Sequence, residues 1–360
     1  MTRHMFAGAL TPAGFMDFFD DIMPIQQANT RYFLKGASGG GKSTFMKHIA
    51  ADLIKKGIAA DHFHCANDVA SLDAVAAHSL GLCIMDATAP HSHDPQLPII
   101  TDSIIDFAQF LDKSKLKGHK STIQDLMDDK KALLARAMGY YAAAGKVHNA
   151  EIAAAETALK QQELENLANS AACRGGSQPP AIAGRLNRRL FLSAITPEGP
   201  ISLADNAFDN CKVYAIHTEE QIGTRRLLAH IMQATNAAGL ATESFYNPLN
   251  LAQIDYLHIP DKNLAYVTTS GVFGYNGKVD ERIDLARCIN PAMLTRAKIN
   301  MESDHELLNT LLDQTTQLLN AAKSIHNKVE EIYIQAMDFD RLDEMTKNFV
   351  DCLLRDKPLS

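Results

Sequence analysis

One glycine-rich stretch, GASGGGKST at residues 36–44, constrains the fold of this chain more than any other part of its sequence. The apolar run at 32–34 precedes it and predicts the end of a buried strand. The segment that follows, FMKHIAADLIKKG, has its apolar residues at helical spacing, and Gly57 is expected to end that helix. A strand, a tight glycine-rich turn and a helix in this order indicate an α/β fold with the turn at a sheet edge.

The stretch fills every fixed position of the P-loop pattern G-x-x-x-x-G-K-S. Glycines allow backbone N–H groups to approach phosphate oxygens, and the positive end of the helix dipole favours the same anion. Lys42 is expected to reach the β- and γ-phosphates of a nucleoside triphosphate, and the Ser43 hydroxyl to bind the bridging Mg²⁺. The alternative is a glycine-rich turn that contains Lys-Ser by chance. The predicted nucleotide-binding residues are Gly36, Ala37, Ser38, Gly39, Gly40, Gly41, Lys42, Ser43 and Thr44.

A second acid is expected to hold the metal, and the run LGLCIMD at residues 80–86 supplies one. Asp86 ends an apolar predicted strand, which is the place of a Walker B carboxylate. We therefore predict Ser43 and Asp86 as metal ligands, and Lys42 and Asp86 as catalytic residues. The alternative role for Asp86 is to cap the following segment. Since no glutamate follows Asp86, the sequence favours slow hydrolysis, a base from elsewhere, or transfer to an acceptor other than water.

The general base is not identified by the sequence. Four residues are candidates by position only, and a metal-binding role for the run HSHD at 91–94 is a weaker alternative. No N-K-x-D motif is present, which favours ATP over GTP. The candidate bases are Asp68, Asp73, His91 and Asp94.

Composition excludes several other classes of function. The formal net charge of −7 and the absence of Trp favour neither nucleic acid nor an anionic membrane as a partner. The six cysteines form no C-x-x-C pair, which is typical of a reducing compartment. No stretch approaches the roughly 18–20 apolar residues of a membrane helix. A cytoplasmic location is the expectation.

The second half of the chain repeats the outline of the first. RHMFAGALTPAG at 3–14 resembles RRLFLSAITPEG at 188–199, and both predict a strand followed by a helix that starts at Thr-Pro. At a shift of 182 residues, Tyr32 falls on Tyr214, Gly41 on Gly223 and Asp73 on Asp255. The agreement in order and spacing indicates an internal duplication.

The second copy of the loop lacks the chemistry of the first. Thr224 replaces the lysine, Arg225 the serine and Thr268 the acid of the first copy, and Glu219 and Glu220 add negative charge. Phosphate binding of the usual kind is not expected there. Arg225 or Arg226 as an arginine finger is one hypothesis, and ordinary arginines at a helix start are the alternative.

These patterns predict tandem duplicated P-loop NTPase-like cores of the α/β class, each followed by a long helical hairpin or bundle. The domains are expected at 1–169 (nucleotide-binding half with its helical extension) and 186–360 (degenerate half), joined by a linker at 170–185. A homo-oligomer and an intramolecular pseudo-dimer both remain open.

FAGALTPAG, GASGGGKST, FHCANDVASLD and CIMDATAPHSHDP in this order resemble a family of bacterial cytoplasmic proteins with two P-loop-like halves in one chain. Its members are labelled ATPases or nucleotide kinases. The resemblance covers essentially the whole chain and implies a nucleotide site at Lys42 and Ser43, with Asp86 as the metal-side acid. The expected function is Mg-dependent ATP binding with slow hydrolysis. A small-molecule kinase and a nucleotide-responsive switch or scaffold are the alternatives.

Overall fold

A computed structural model describes residues 2–89, 92–174, 187–218 and 221–355. The strands of the first half are β1 (His4–Phe6), β2 (Gly8–Thr11), β3 (Gly14–Asp17), β4 (Thr30–Lys35), β5 (Asp61–His64), β6 (Leu72–Ala77), β7 (Leu82–Asp86) and β8 (Asp102–Asp106). Those of the second half are β9 (Arg188–Leu190), β10 (Ser193–Thr196), β11 (Gly199–Ser202), β12 (Lys212–His217), β13 (Glu243–Asn247), β14 (Asn250–Ile259), β15 (Leu264–Thr268) and β16 (Glu281–Asp284).

The α-helices range from single turns to one of 44 residues. They are α1 (Phe19–Ile22), α2 (Lys42–Lys55), α3 (Lys113–Leu116), α4 (Lys120–Glu156), α5 (Gln161–Ala172), α6 (Thr224–Ala237), α7 (Pro291–Ile334) and α8 (Phe339–Arg355). Within the described residues, no helix combines the length and the apolar character that crossing a membrane requires.

The first sheet has six strands in the order β1-β5-β6-β7-β4-β8. β6 is antiparallel to both of its neighbours, whereas β4 is parallel to β7 and to β8. Every residue of β6 is buried, as expected for a strand that is covered on both faces of a sheet. Because β4 and β7 run in the same direction, their carboxyl ends, Lys35 and Asp86, lie at the same edge of the sheet.

The second sheet repeats this arrangement strand for strand. Its order is β9-β13-β14-β15-β12-β16, with β14 antiparallel to both of its neighbours and β12 parallel to β15 and β16. The structure is therefore α/β with two six-stranded mixed sheets, and the sequence repeat is matched by a repeat in strand order. Fully buried runs such as LDAVAA at 72–77 show no alternation of apolar and polar residues, so the sequence alone does not identify them as strands.

The Thr-Pro segments were wrongly predicted to start helices. Instead, they form the tight turns of two antiparallel hairpins, β2–β3 and β10–β11. In the first turn the Thr11 hydroxyl donates to the Gly14 carbonyl at 2.7 Å and accepts from the Ala13 amide at 3.3 Å. Thr196 makes the equivalent bonds in the second turn. The threonine therefore stabilises a turn by bonding to its own backbone, which competes with its use as a helix cap.

The chain folds into two compact units whose segments alternate along the sequence. The first unit comprises Met1–Ala7, Ile22–Ala135 and Leu318–Ser360, and the second comprises Gly8–Asp21 and Arg136–Gln317. Each unit contains one of the six-stranded sheets, and each draws on both predicted halves of the chain. The predicted linker at 170–185 lies mostly outside the described residues, and its first residues end α5.

Apolar packing explains this division of the chain. In the first unit, Met337, Leu342 and Val350 from the end of the chain are buried against Leu34 of β4 and Phe45 of α2. In the second unit, helix α5 supplies three buried residues to the core beneath β12 and α6. These are Leu164, Ala168 and Ala171. The helices that follow each sheet in sequence therefore complete the core of the unit built on the other sheet.

Candidate functional site

The glycine-rich loop of the first unit joins the carboxyl end of β4 to the start of α2. Gly39 and Gly41 have φ values of 71° and 84°, in the left-handed region that favours glycine. Gly41 is the N-cap of α2, and no described side chain caps this helix start. The first amide groups of α2 are therefore a place where an anion finds backbone donors and the positive end of the helix dipole.

Lys42, the first residue of α2, lies folded over the loop. Its side chain is almost fully buried, and its ammonium donates to the carbonyl oxygens of Gly36 at 3.0 Å and Ala37 at 2.8 Å. The same Nζ lies 3.5 Å from Oδ2 of Asp86. The sequence-predicted cation and acid are thus brought together at one edge of the sheet.

Asp86 reaches this position because β7 pairs with β4, with Asp86 opposite Leu34. Its Oδ1 accepts hydrogen bonds from the amide and the hydroxyl of Thr88. Oδ2 faces Lys42. The Thr88 bonds orient the carboxylate, so that one oxygen is held by protein donors and the other faces the loop.

Ser43 and Thr44 follow on the first turn of α2. The Ser43 Oγ accepts a hydrogen bond from the amide of Leu72 at 2.9 Å, whereas Thr44 is exposed. A hydroxyl oxygen has two lone pairs, so this bond leaves Ser43 able to bind one further partner. No group of three or more His, Cys, Asp and Glu side chains in the described part of the chain is arranged to hold a metal ion.

Of the four candidate bases, the structure brings Asp73 to the loop. Asp73 lies on β6 and is 5% exposed. Burial and the nearby charge of Asp86 raise the pKa of Asp73 to about 7, although a hydrogen bond with Cys65 and the charge of Lys42 oppose the increase. A carboxyl group that holds its proton near neutral pH beside an ionisable acid is typical of sites that perform proton transfer.

Asp68 and Asp94 do not share this environment. Asp68 accepts from Lys323 at 3.0 Å and from the Ser71 hydroxyl at 2.7 Å. Asp94 is paired with Lys35 at 3.1 Å and is well exposed. His91 lies outside the described residues, so the run at 91–94 is not described in full.

Residues near the end of α7 contact the loop, which the sequence did not predict. The Ser38 hydroxyl is 3.2 Å from Nε2 of His326, whose Nδ1 accepts from the Lys130 ammonium at 2.8 Å. A Cβ atom at Gly39 would lie 3.0 Å from the backbone oxygen of Glu330, so α7 passes directly against the loop. The sequence does mark His326, because the pair His-Asn occurs at both 148–149 and 326–327. This repeat does not indicate that His326 contacts the loop.

The charges on this part of α7 are perturbed by their surroundings. Burial, with the adjacent Lys130 charge, lowers the pKa of His326 to about 4, so the ring is neutral when it accepts from Lys130. Burial also raises the pKa of Glu330 and lowers that of Lys130. A partly dehydrated set of ionisable groups therefore lines one side of the loop.

Comparisons with family models, with curated proteins and with solved structures found no match for this chain.

The equivalent loop of the second unit is filled by its own side chains. Gly223, with φ of 75°, caps α6 just as Gly41 caps α2, but the next residue is the buried Thr224, whose hydroxyl donates to the Gln221 carbonyl at 2.6 Å. The Gln221 side chain donates to the Ser270 carbonyl and accepts from Gln253, both at 2.9 Å. No lysine stands at this loop, and a glutamine occupies its interior.

The arginines of the second loop are exposed at the start of α6. Arg226 lies 3.4 Å from the Glu156 carboxylate at the end of α4. Arg225 is also exposed, and Glu219 and Glu220 lie outside the described residues. The arginine-finger hypothesis remains a prediction.

Proposed function

We propose that the loop at 36–44 binds the phosphates of ATP with Mg²⁺, and that the chain hydrolyses ATP slowly. The observation that carries this proposal is the convergence of the Lys42 ammonium, the uncapped start of α2 and the Asp86 carboxylate at one edge of the first sheet. In this proposal both sheets belong to P-loop NTPase-like cores, as the resemblance to the duplicated family implies. Only the first retains the cation that a triphosphate requires.

The residues at the loop fit a nucleotide and its metal. The two carbonyl oxygens that accept from Lys42 are neutral, and phosphate oxygens would offer its ammonium negatively charged acceptors and so stronger bonds. In nucleotide sites Mg²⁺ keeps several waters and takes only one or two protein ligands, which the Ser43 hydroxyl and the Asp86 carboxylate would supply. When bound, the metal would neutralise charge on the phosphate oxygens.

Asp73 is the group best placed to accept a proton from the attacking water. Its pKa of about 7 lies near neutral pH, where a general base is most effective. Its neighbour Asp86, whose Oδ2 faces Lys42, would serve the metal. Two carboxyl groups with different environments would thus divide the two roles.

Titration calorimetry with MgATP tests the binding step. Because one charge-assisted hydrogen bond contributes about 1.5–3 kcal/mol, Lys42→Ala is expected to lower the affinity for ATP about tenfold to a hundredfold. Lys47→Ala is the matched control, because Lys47 lies on the exposed side of the same helix. Equal affinity for the wild type and Lys42→Ala would refute the proposal.

Phosphate release tests the chemical step. Asp73→Asn is expected to bind MgATP normally and to release phosphate at least about a hundredfold more slowly, the usual contribution of a general base. Asp86→Asn is expected to reduce the Mg²⁺ dependence of binding. ADP formation that appears only after small-molecule hydroxyl acceptors are added, with the γ-phosphate recovered on the acceptor and not as free phosphate, would replace hydrolysis by the kinase alternative.

A nucleotide-responsive switch is the second candidate function, and the contact between the loop and α7 favours it. Gly39 lies against Glu330 and Ile334, and a Cβ at Gly41 would lie 2.5 Å from Leu342 of α8. A nucleotide that bound at the loop and displaced α7 and α8 would change the protection of these helices from hydrogen exchange. We expect a non-hydrolysable ATP analogue to change the rate of hydrogen exchange at residues 323–342 in the wild type. The Lys42→Ala variant should show no such change. Unchanged exchange would exclude the switch while leaving binding intact.

A further inference from the structure

A second group of reactive side chains lies in the second unit, where Cys211 directly precedes β12. Its Sγ is 3.4 Å from Nε2 of His258 on β14. The other ring nitrogen of His258, Nδ1, is 2.7 Å from Oε2 of Glu243 on β13. A sulfur, an imidazole and a carboxylate are therefore arranged in line, as in sites that activate a cysteine nucleophile.

The bond to Glu243 orients the ring of His258. A carboxylate only accepts hydrogen bonds, so Nδ1 carries a proton and Nε2 faces the sulfur. Burial alone would lower the pKa of His258, but hydrogen bonds to Cys211 and Glu243 outweigh it and raise the pKa to about 9. A protonated imidazole beside a thiol favours the thiolate form, which is the nucleophile.

Glu243 is itself held by an arginine on the neighbouring strand. Arg188 Nη1 donates to Oε1 of Glu243 at 2.7 Å, and both side chains are about 7% exposed. The first unit contains the equivalent pair, Arg3 and Asp61, at 2.7 Å. The arginine–acid pair is therefore a shared structural element of the two sheets.

The cysteine, in contrast, has no counterpart in the first copy, because the residue before β4, at the position of Cys211, is Asn29. His258 pairs with Glu243 across β13 and β14, and the same register in the first sheet places Ala76 opposite Asp61. The imidazole near Asp61 is instead that of His78, whose Nε2 lies 3.4 Å from Oδ2. The second copy, which lacks the lysine of its loop, thus combines an acid–imidazole pair with a nucleophilic sulfur.

A cavity of about 350 Å³ opens at Cys211. This volume is at the lower end of the range for small-molecule sites. Its charged groups are of both signs, with Lys278 paired to Asp280 at 3.1 Å and Lys212 paired to Glu281 at 2.6 Å. The lining residues are Asp209, Asn210, Cys211, Lys212, Lys278 and Asp280.

We propose that Cys211, His258 and Glu243 form an acyl-transfer site that hydrolyses small esters or thioesters held in this cavity. The Cys211 sulfur forms a bond with the acyl carbon, the bond to the leaving oxygen or sulfur breaks, and His258 Nε2–H donates its proton to that leaving group. Water then attacks the thioester, gives its proton to Nε2, and releases the carboxylic acid with the cysteine restored. Glu243 acts as a positioning residue that holds the ring.

The first test uses the unmodified chain. Iodoacetamide labelling of each cysteine is followed by mass spectrometry near neutral pH, with the exposed Cys173 and Cys352 as comparison thiols. Cys211 is expected to react at least about tenfold faster than either, because an imidazole ring lies 3.4 Å from its sulfur, the arrangement that activates a cysteine nucleophile. Equal or slower labelling of Cys211 overturns the proposal without any variant that could fail to fold.

The second test is acylation by p-nitrophenyl acetate. A burst of about one nitrophenol per chain is expected, followed by steady turnover. Cys211→Ala should abolish the burst and Cys173→Ala should leave it unchanged. His258→Asn and Glu243→Gln should slow both the burst and the iodoacetamide labelling of Cys211, which a purely structural role would not do. A burst that survives Cys211→Ala, or rapid labelling without any burst, refutes acyl transfer.

Discussion

Asp73→Asn is expected to stabilise the first unit, and the stabilisation should appear only as the pH rises above 3.8. The pKa of the Asp73 carboxyl rises from 3.8 to about 7 on folding, so the folded state opposes its ionisation. Such an increase costs about 4 kcal/mol of unfolding free energy once the group must ionise. Asparagine is neutral at every pH and resembles the protonated acid, so the variant avoids this cost.

The sign and the pH range follow from the two pKa values. A group whose pKa is raised by folding contributes most to stability below its unfolded pKa, and this contribution is lost as the pH rises through the folded value. The variant and the wild type should therefore be equally stable near pH 3.8. Their difference should grow by about 1.4 kcal/mol per pH unit and become constant above about pH 7.

Urea denaturation followed by circular dichroism, between about pH 4 and about pH 8.5, measures this difference. Asp125→Asn is the control, because Asp125 lies exposed on α4 in the same unit. It measures the effect of the same amide-for-acid change at an exposed position of this unit, against which the Asp73→Asn result is compared. If the unfolding free energies of Asp73→Asn and the wild type differ by the same amount at every pH, folding does not raise the pKa of the Asp73 carboxyl. That result would refute the stability argument and the raised pKa on which the proposed role of Asp73 as a base rests.

Three further predictions concern the residues around the loop and its second copy. Asp102→Asn leaves the Arg31 guanidinium, bonded to Asp102 at 2.8 Å through two nitrogens, buried without a counter-charge, so urea denaturation should show a loss of about 3–5 kcal/mol. Gly41→Ala forces a φ of 84° on a residue with a side chain and moves a methyl group against Leu342, so the unfolding free energy should fall by about 1–3 kcal/mol. Arg226→Ala removes an exposed ion pair with Glu156 and should leave phosphate release from ATP unchanged, whereas a large decrease would support the arginine-finger hypothesis.

The parts of the fold that depend on local sequence could be predicted. The loop at 36–44 lies between a strand and a helix, as its glycines and the helical spacing of Phe45, Met46 and Ile49 indicate. The repeat is visible in the sequence because both halves have the same spacing of strands and turns, and it is matched by the repeated strand order. The strand β6 was missed, because a fully buried strand lacks the alternation that identifies a strand with one face in water.

Features that depend on distant residues could not be predicted. Nothing local at His326 or Lys130 indicates that α7 lies against the loop, since His326 contacts Ser38 and Lys130, which both come from distant positions in the chain. The arrangement of Cys211, His258 and Glu243 likewise depends on distant residues. The register of β13 and β14 places His258 beside Glu243, and the fold brings Cys211 to the other side of the ring. Asp73 was one of four candidates by position, and its distinction from Asp68 and Asp94 comes from burial, which the sequence does not show.

The interleaving of the two units has a consequence for biosynthesis. The strands of the first sheet are translated early. The core that covers this sheet includes Leu342 and Val350, which are among the last described residues to be translated. The second unit is complete at Gln317. We expect the second sheet to reach its native packing first, while β4, the glycine-rich loop and α2, which begins at Lys42, stay accessible to chaperones until the end of α7 and α8 have been translated. An interrupted or truncated translation product would therefore contain the whole glycine-rich stretch without the helices that pack against it.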